Sequence, residues 1–386
     1  MQGVALPERV IIVVQQESLR ERPRIHKLGQ ILGEMEIDFE IWKFGLPEET
    51  RAEGMSVRNV MHASWRSRSA AFRYLAWIWT VFRRARKQPR GTHFFAVGFD
   101  SGFPIALLGK RSRSFVFDNI DNVSMSYRWP WGLKHAFRLL EGWVARCATV
   151  HVIPSANRWT GTDANMEVVT NTPSLSAVKE ARGLAEAGGY VREQEFTIYL
   201  NGWLSATRGI RTLIGALKLL KARQLPVKVL VAGRPASTDA EELLALGNVE
   251  NLGMLSNAEA LATYFRTSVA FIYYDPALEI NRLAESQKWT DCWATRTAFI
   301  SNSEVETLRR FTEVDACFSL PYHEEEGLAN LVGELIADPG RIRASQENLA
   351  RMNFRYWDEH MRLVLARWFA HGSMPVGARL MSGSAK

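Results

Sequence analysis

The chain has 386 residues, a length that corresponds to two or three domains. Hydrophobic residues make up 47% of it and charged residues 23%, proportions that exclude a disordered, collagen-like or disulfide-stapled protein. The formal net charge of +7 favours negatively charged partners, which are nucleotides, nucleic acids or anionic lipids.

The sequence carries no signature of a metal site, a secreted protein or a membrane span. Its three cysteines are odd in number and lack the spacing of metal ligands, so we expect a reducing compartment and no metal site. No other cofactor is expected. No run of about 18 uncharged apolar residues is present to span a bilayer. The first residues lack the basic region and cleavage site of a signal peptide. The sequence therefore predicts a cytoplasmic protein.

Val- and Ile-rich segments alternate with amphipathic segments over the predicted first domain, residues 1–173. This alternation is typical of βα units, which build a parallel sheet with helices on its faces. The predicted strands of this domain are 10–14, 38–42, 94–97, 114–117, 150–153 and 167–169. The predicted helices are 24–35, 64–87, 101–109, 133–146 and 156–161.

The positive charge is concentrated in residues 54–90, which hold nine Lys or Arg residues and no Asp or Glu. Helical spacing brings four aromatic residues of this segment to one stripe: Trp65, Phe72, Trp79 and Phe82. An aromatic stripe with a basic rim is typical of a helix that lies in a membrane interface. A core-facing helix with a basic outer face and a nucleic-acid patch are the alternatives. The residues predicted to face the membrane or the acceptor are Arg66, Arg73, Trp77, Arg83 and Arg84.

Residues 174–194 are rich in Ala, Gly and Glu and interrupt the rhythm, as expected of a linker with a short helix. The βα pattern then restarts in a predicted second domain, residues 195–345. Residues 346–386 are predicted to form a helix that returns toward the first domain and a frayed tail. The predicted strands are 196–200, 227–232, 249–252, 269–273 and 298–301, and the predicted helices are 207–223, 240–246, 257–267, 286–294, 325–336 and, with breaks, 342–369.

This organisation predicts an α/β protein of two Rossmann-like domains that face an interdomain cleft. In such sheets, ligands bind outside the carboxyl ends of the strands, so the informative loops are those that follow the strands.

Two loops of the second domain carry residues suited to a phosphate. Gly202 lets the backbone approach a ligand, and Arg208 precedes a helix whose N-terminus offers free N–H groups. Lys288, in the first turn of a later predicted helix, opposes the helix dipole, which makes sense if an anion is held there. An ordinary turn with a surface arginine and a solvated salt pair with Asp291 are the alternatives.

Asp118 and Asp121 follow a predicted strand of the first domain. A carboxylate within hydrogen-bond reach of a hydroxyl is suited to deprotonate it, so one of the two is a candidate general base. A turn that caps the next segment is the alternative.

The order of these motifs resembles that of GT-B-fold, nucleotide-sugar-dependent glycosyltransferases, particularly the bacterial family 4-like enzymes. The resemblance covers residues 8–345. It rests on Phe-Asp-Asn-Ile-Asp at 117–121, Val-Thr-Asn-Thr-Pro at 169–173, Asn-Gly at 201–202, Arg-Gly at 208–209, Val-Ala-Gly at 231–233 and Gln-Lys before Asp at 287–291.

The resemblance implies that the glycine loop and Arg208 contact the diphosphate of a UDP- or GDP-linked sugar. Gln287, Lys288 and Asp291 stand where the family has an Asn-Lys pair before a Glu. Either Glu279 or Glu285 would bind ribose or base hydroxyls. The chain is also similar to the membrane-associated glucuronosyltransferases of xanthan assembly, whose catalytic Asp falls by motif on Asp121.

The predicted function is therefore metal-independent transfer of a hexosyl or glucuronosyl group from a nucleotide diphosphate sugar to a lipid-linked glycan in bacterial polysaccharide biosynthesis. The enzyme would lie on the inner face of the plasma membrane, bound to anionic lipid, and would not bind nucleic acid. A nucleotide-sugar 2-epimerase of the same fold is one alternative. A catalytically decayed GT-B protein that serves as a partner or scaffold is another, and Trp203, Gln287 and Asp291 are the departures that it predicts.

Overall fold

The structure is a computed structural model. It describes residues 7, 9–15, 23–45, 51–52, 55–62, 69–89, 91–109, 114–159, 161, 163–190 and 195–372. The chain divides into two compact units, the first formed by Met1–Thr170 with Asp358–Lys386 and the second by Asn171–Trp357. Each unit is a sheet of largely parallel strands with helices connecting them, so the two predicted Rossmann-like α/β domains are confirmed.

The strands are short, and most of them are buried. They are β1 (Val10–Val14), β2 (Phe39–Gly45), β3 (Arg51–Ala52), β4 (Met55–His62), β5 (His93–Val97), β6 (Ser114–Asp118), β7 (Val150–Ile153), β8 (Met166–Val168), β9 (Phe196–Leu204), β10 (Val227–Pro235), β11 (Val249–Gly253), β12 (Val269–Ile272), β13 (Ala298–Asn302) and β14 (Phe318–Leu320).

The helices follow the strands as the alternation predicts. They are α1 (Pro23–Glu34), α2 (Ala70–Arg86), α3 (Phe99–Ala106), α4 (Val123–Ser126), α5 (Trp131–Cys147), α6 (Leu175–Ala187), α7 (Ile210–Ala222), α8 (Thr238–Leu244), α9 (Asn257–Tyr264), α10 (Glu279–Arg282), α11 (Gln287–Thr295), α12 (Arg309–Thr312), α13 (Glu325–Ala337), α14 (Pro339–Arg351) and α15 (Trp357–Gly372).

In the described part of the first unit, the sheet has the order β3-β4-β2-β1-β5-β6-β7-β8. Its pairs are parallel except β3 with β4, a small unpredicted hairpin of which β4 lies in the basic segment and β3 just before it. Helices α2, α3 and α5 cover one face, where Trp77 packs in the same cluster as Phe94. Phe95, the next residue along β5, packs instead against Trp368 of α15, with the ring centres 6.2 Å apart. Burial on both faces explains why these strands are nearly continuous apolar runs.

In the second unit, the sheet has the order β11-β10-β9-β12-β13-β14, and its paired strands are parallel. Chain order reverses beside β9, because β10 and β11 lie on one side of it while β12 and later strands lie on the other. Such a switch point is where open α/β sheets bind ligands. Strand β9 runs to Leu204, four residues beyond its predicted end, because it stays in register with β10 up to the pair Pro235–Leu204. The predicted glycine loop is therefore the end of a strand.

Two segments connect the units or return between them in the chain. The short helix predicted in the linker 174–194 is α6, which is capped by Ser174, and its Ala181 and Ala185 pack with α9 in the second unit. The final helix, predicted with breaks, is divided into α14 and α15, and α15 belongs with the first unit, where Trp368 Nε1 donates a hydrogen bond of 2.9 Å to Ser114 Oγ. Across the described residues, none of the helices is long and apolar enough to pass through a bilayer.

Candidate functional site

The carboxyl ends of β9 and β10 meet at a pair of glycines. Gly202 has φ +98° and its register partner Gly233 has φ +131°, conformations that favour glycine. A Cβ atom on Gly233 would lie 2.0 Å from the carbonyl oxygen of Gly202. The two backbones therefore touch directly, and this leaves the sheet edge free of side chains at the switch point.

Lys288 lies against this glycine pair. Helix α11 begins at Gln287 because Ser286 caps it, and the Ser286 hydroxyl accepts a hydrogen bond of 3.2 Å from the Lys288 N–H. A Cβ atom on Gly202 would lie 3.1 Å from the Lys288 ammonium nitrogen. The ammonium group thus occupies the position that a side chain at 202 would take.

Arg208 reaches the same edge from the turn that follows β9. Its guanidinium carbon lies 4.4 Å from the centre of the Tyr274 ring. The Tyr274 hydroxyl donates a hydrogen bond of 2.7 Å to Ser286 Oγ, the atom that caps α11. Asn302 holds the tyrosine by accepting a bond of 2.8 Å from its backbone N–H. Arg208 and Lys288 are therefore connected through Tyr274 and Ser286.

The Nη1 nitrogen of Arg208 is buried and has no hydrogen-bond partner among the residues that the structure describes. Leaving a charged donor buried and unpaired costs free energy, which an anionic ligand would recover. With the N-terminus of α11 and the Lys288 ammonium nearby, this edge has the electrostatics of an anion site.

Arg234 is a third cation at this edge, and the sequence analysis missed it. It is exposed, follows Gly233 directly on β10, and is the register partner of Trp203 on β9. Trp203 is itself 60% exposed. The signal in the sequence is a cation immediately after Val-Ala-Gly, at the end of a strand that neighbours the glycine strand.

The other predicted donor residues lie in different environments. Gln287 is the first residue of α11 and is half-buried, while Asp291 is buried one turn later. Glu279 is the half-buried first residue of α10. The carboxylate of Glu285 is buried in an ion pair with Arg310. Because the Glu285 carboxylate is already paired within the unit, we withdraw Glu285 as a contact for the donor sugar nucleotide. Glu279 is the remaining candidate.

In the first unit, the two predicted catalytic aspartates have different surroundings. Asp118 ends β6 fully buried, and its carboxylate accepts hydrogen bonds of 2.7 and 2.8 Å from Arg24. This carboxylate is buried and paired with Arg24 and cannot meet a hydroxyl from solution, so we withdraw Asp118 as a base. The Asp121 side chain is 57% exposed, and its Oδ1 atom lies 3.6 Å from Arg158 Nη1. Asp121 is thus the carboxylate able to contact a substrate.

The predicted membrane face is partly corrected. Trp77 is fully buried in the core, because it lies two residues, or about 200° around the helix, from Trp79, which is 62% exposed. Phe72 and Trp79 are exposed, and the Trp79 ring stacks on the half-buried Phe82 at 6.0 Å, so two residues of the predicted aromatic stripe face outward. Of the predicted basic residues, Arg83 is exposed, Arg73 and Arg84 are half-buried, and Arg66 lies outside the described residues together with Trp65.

Helix α5 also exposes apolar side chains, which were not predicted from the sequence. Its N-terminal half exposes Trp131, at 83%, together with Leu133 and Leu139. Helix α3 packs against both α2 and α5, so the two exposed helices lie on the same face of the sheet. We call the exposed apolar side chains of α2 and α5 the α2–α5 surface. Large exposed apolar patches mark sites of interaction with proteins or membranes.

The described residues contain no group of three or more His, Cys, Asp or Glu side chains able to hold a metal ion.

Comparison with known proteins finds similarity in structure but not in sequence. No protein-family profile matches the chain, and no curated protein matches it by sequence.

Solved structures do match it over nearly its whole length. Sucrose-phosphate synthase from Thermosynechococcus elongatus is 13% identical with a TM-score of 0.63, covering 98% of this chain and 100% of its own. Anabaena HepE, solved in complex with UDP and glucose, is 12% identical with a TM-score of 0.60, covering 97% and 99%. A Listeria monocytogenes protein assigned as a UDP-N-acetylglucosamine 2-epimerase is 9% identical with a TM-score of 0.63, covering 95% and 97%.

The fold is GT-B. The second unit carries the glycine pair, Arg208 and Lys288 at its switch point. The first unit carries Asp121 and the α2–α5 surface. The GT-B fold is shared here by transferases and an epimerase, so the activity has to be argued from the site.

Proposed function

We propose that this protein is a glycosyltransferase that transfers a sugar from a nucleotide diphosphate sugar to a lipid-linked glycan acceptor. The observation that carries the proposal is the buried, unpartnered Nη1 atom of Arg208, on the same sheet edge as the Lys288 ammonium. A diphosphate supplies the acceptor oxygens that these donors lack. Arg234 adds positive charge at this edge, and the N-terminus of α11 adds its dipole.

The chemistry assigns a different task to each unit. Asp121 takes the proton from the acceptor hydroxyl, whose oxygen forms a bond to the anomeric carbon of the sugar. The bond from that carbon to the diphosphate oxygen breaks, and the nucleoside diphosphate leaves with the electron pair. Arg208 and Lys288 stabilise the negative charge that develops on the leaving group. We propose that these fixed cations do so without a metal ion.

The acceptor is proposed from the α2–α5 surface. Exposed Trp79 and Trp131 are suited to the headgroup boundary of a bilayer, and Arg83 and Arg86 at the end of α2 are suited to anionic lipid. A transferase bound in this way meets acceptors that are carried on membrane lipids. We therefore propose a peripheral position on the inner face of the plasma membrane and a role in bacterial polysaccharide biosynthesis.

Calorimetric titration of the purified protein with UDP and with GDP tests donor binding. We expect one of them to bind, and Arg208→Ala to weaken it by about 10- to 100-fold, because hydrogen bonds to charged groups contribute about 1.5–3 kcal/mol. Arg211→Ala is the matched control, since Arg211 lies three residues further along and is exposed in ion pairs with Asp239 and Glu242. Equal affinities of the Arg208 and Arg211 variants would refute the phosphate role.

Two further measurements separate the alternatives. A decayed scaffold predicts that neither nucleotide binds. A 2-epimerase predicts that NMR detects inversion at C2 of a UDP-sugar in the absence of any acceptor. The transferase proposal predicts nucleotide binding, no epimer, and incorporation of labelled sugar into bacterial membrane lipid.

A further inference from the structure

A pocket of about 260 Å³ opens in the first unit between helix α5 and the loops that follow β6 and β7. The side chains that matter for its chemistry are Asn122, Arg138, Glu141, Arg146, Arg158 and Trp159. Sites for drug-sized ligands occupy about 300–1,000 Å³, so this pocket is the size for a single ring or a comparable group.

Among the described residues, Asn122 brings a buried side-chain oxygen without a hydrogen-bond partner to this lining. Its side chain is 1% exposed, and its Oδ1 atom has no hydrogen bond to any residue in the described ranges. Its backbone carbonyl, by contrast, accepts bonds of 3.0 Å from Met125 and 2.8 Å from the Ser126 hydroxyl. A buried amide oxygen with an empty lone pair invites a donor from a ligand.

Several other groups of the pocket are held in place by neighbours. The Glu141 carboxylate accepts bonds of 2.6 Å from the Val123 N–H and from the Ser124 hydroxyl. Arg158 Nη1 donates a bond of 2.6 Å to the carbonyl of Ile120. Trp159 Nε1 donates a bond of 3.0 Å to Asp163, which fixes the plane of the indole at the pocket wall. A lining of this kind is arranged before a ligand arrives.

The mixture of groups distinguishes between ligand classes. Guanidinium groups donate hydrogen bonds, whereas the Asn122 oxygen and the Glu141 carboxylate accept them. A phosphate offers only acceptors to these oxygens and would leave them unpaired or repelled. A sugar hydroxyl both donates and accepts, and an aromatic side chain such as Trp159 in the lining suits the apolar face of a sugar ring.

The pocket is also next to the proposed base. Asn122 follows Asp121 in the chain, and Arg158, which lines the pocket, lies 3.6 Å from the Asp121 carboxylate. Helix α5 connects the pocket to the apolar surface, because Leu139 follows Arg138 of the pocket and is exposed.

We propose that this pocket binds a sugar ring of the acceptor and presents one of its hydroxyls to Asp121. The inference rests on the proposed function for the identity of the sugar as acceptor, but the binding of a sugar ring can be measured without any transfer reaction. Neither the pocket nor Trp159 was identified from the sequence.

The experiment uses Gly142, which also lines the pocket. A Cβ atom there would meet only the flexible end of Arg146, at 3.4 Å, so a side chain can be added with little disturbance. Gly142→Leu fills the pocket, and Gly142→Ala is the matched control that adds a Cβ alone. Saturation-transfer NMR with the methyl glycosides of glucose, galactose, mannose and N-acetylglucosamine then reports binding to the full chain.

We expect the wild type and Gly142→Ala to bind at least one glycoside at millimolar concentration, and Gly142→Leu to lose that signal. If Gly142→Leu does not fold, Arg146→Ala, at an exposed position, replaces it and should weaken binding several-fold. Met254→Ser, at an exposed position of the second unit, should bind the glycoside normally. Retention of the signal in a folded Gly142→Leu variant, or no glycoside bound by the wild type, would overturn the inference. If Gly142→Leu abolishes glycoside binding but the protein binds no nucleotide, the proposed function is refuted and the inference that the pocket binds a sugar ring stands.

Discussion

The ring of Tyr274 lies under the guanidinium of Arg208, with 4.4 Å between the guanidinium carbon and the ring centre. The same tyrosine bonds through its hydroxyl to Ser286, which caps the helix that carries Lys288. Tyr274 thus contacts Arg208, which follows β9, and it also contacts the cap of the helix that carries Lys288. Tyr274 is therefore a positioning residue for the proposed diphosphate site.

Replacement of Tyr274 should separate its two contacts. Tyr274→Phe keeps the ring under Arg208 and removes only the bond to Ser286, so UDP or GDP affinity should fall by less than about threefold. Tyr274→Ala removes the cation–π contact, worth about 0.5–2 kcal/mol, and affinity should fall by about tenfold. Calorimetric titration measures both, with the melting temperature as the check on folding. Equal losses in the two variants would show that the ring does not position Arg208.

The paired glycines should respond differently to alanine. In Gly233→Ala the new Cβ meets the backbone oxygen of Gly202, so the strands must separate, and we expect a loss of about 3 kcal/mol or more in the free energy of unfolding. In Gly202→Ala the Cβ meets the flexible end of Lys288, and the positive φ costs about 1–2 kcal/mol. Gly202→Ala should therefore lose nucleotide affinity as its main effect. Urea unfolding and titration check this, with Gly247→Ala, which meets nothing within 4 Å, as the unaffected control.

The two aspartates of the first unit should separate stability from turnover. Asp118→Asn leaves the buried Arg24 without its counter-charge and should destabilise the protein by about 3–5 kcal/mol. Asp121→Asn should leave stability and nucleotide affinity unchanged and lower turnover by about 10²- to 10⁴-fold. Denaturant unfolding and a transfer assay measure these quantities. Near wild-type turnover in Asp121→Asn would remove it as the base.

Burial of His151 makes stability depend on pH. Desolvation lowers the pKa of this histidine from 6.5 to about 3, so between these values the unfolded chain binds a proton that the folded protein does not. Stability is full above pH 6.5 and should fall by about 1.4 kcal/mol per pH unit as the pH drops below it. Burial raises the pKa of Glu141 and acts in the opposite direction, so the contribution of His151 has to be isolated by substitution.

His151→Phe keeps the ring that stacks on Phe117 and meets Trp159. Denaturant unfolding at pH 7.5 and 5.5 should show a flatter dependence in this variant than in the wild type. His135→Phe changes an exposed histidine on α5 and serves as the control, with an unaltered slope. The same slope in all three proteins would contradict a neutral buried His151.

The α2–α5 surface predicts binding to anionic vesicles. Trp79→Ser with Trp131→Ser should reduce binding to vesicles that contain phosphatidylglycerol by at least about tenfold, because burial of each large apolar side chain contributes about 1.5–3 kcal/mol. Co-sedimentation measures the bound fraction. Met254→Ser, at an exposed apolar position of the second unit, should bind like the wild type. Vesicles of phosphatidylcholine alone should bind more weakly than anionic ones, and equal binding of both would count against the basic rim.

The alternation of apolar and amphipathic segments was enough to predict two α/β domains and most of their strands. Strands such as β1 are buried on both faces, so every residue from Val10 to Val14 must be apolar, and that pattern is visible without any structure. The motif order also indicated Arg208 and Lys288. The structure brings both to the sheet edge at Gly202, because parallel strands that share a sheet end at the same edge.

What the sequence could not decide was which of two similar side chains is exposed. Trp77 and Trp79 lie two residues apart in the chain, and Asp118 and Asp121 lie three apart. Which member of each pair is exposed depends on the helices and strands that pack on it from distant parts of the chain. The same holds for the Asn122 pocket, whose walls come from three separate segments. Local pattern determined the elements because it acts over one turn or one strand, whereas the partners of each side chain were decided by tertiary packing.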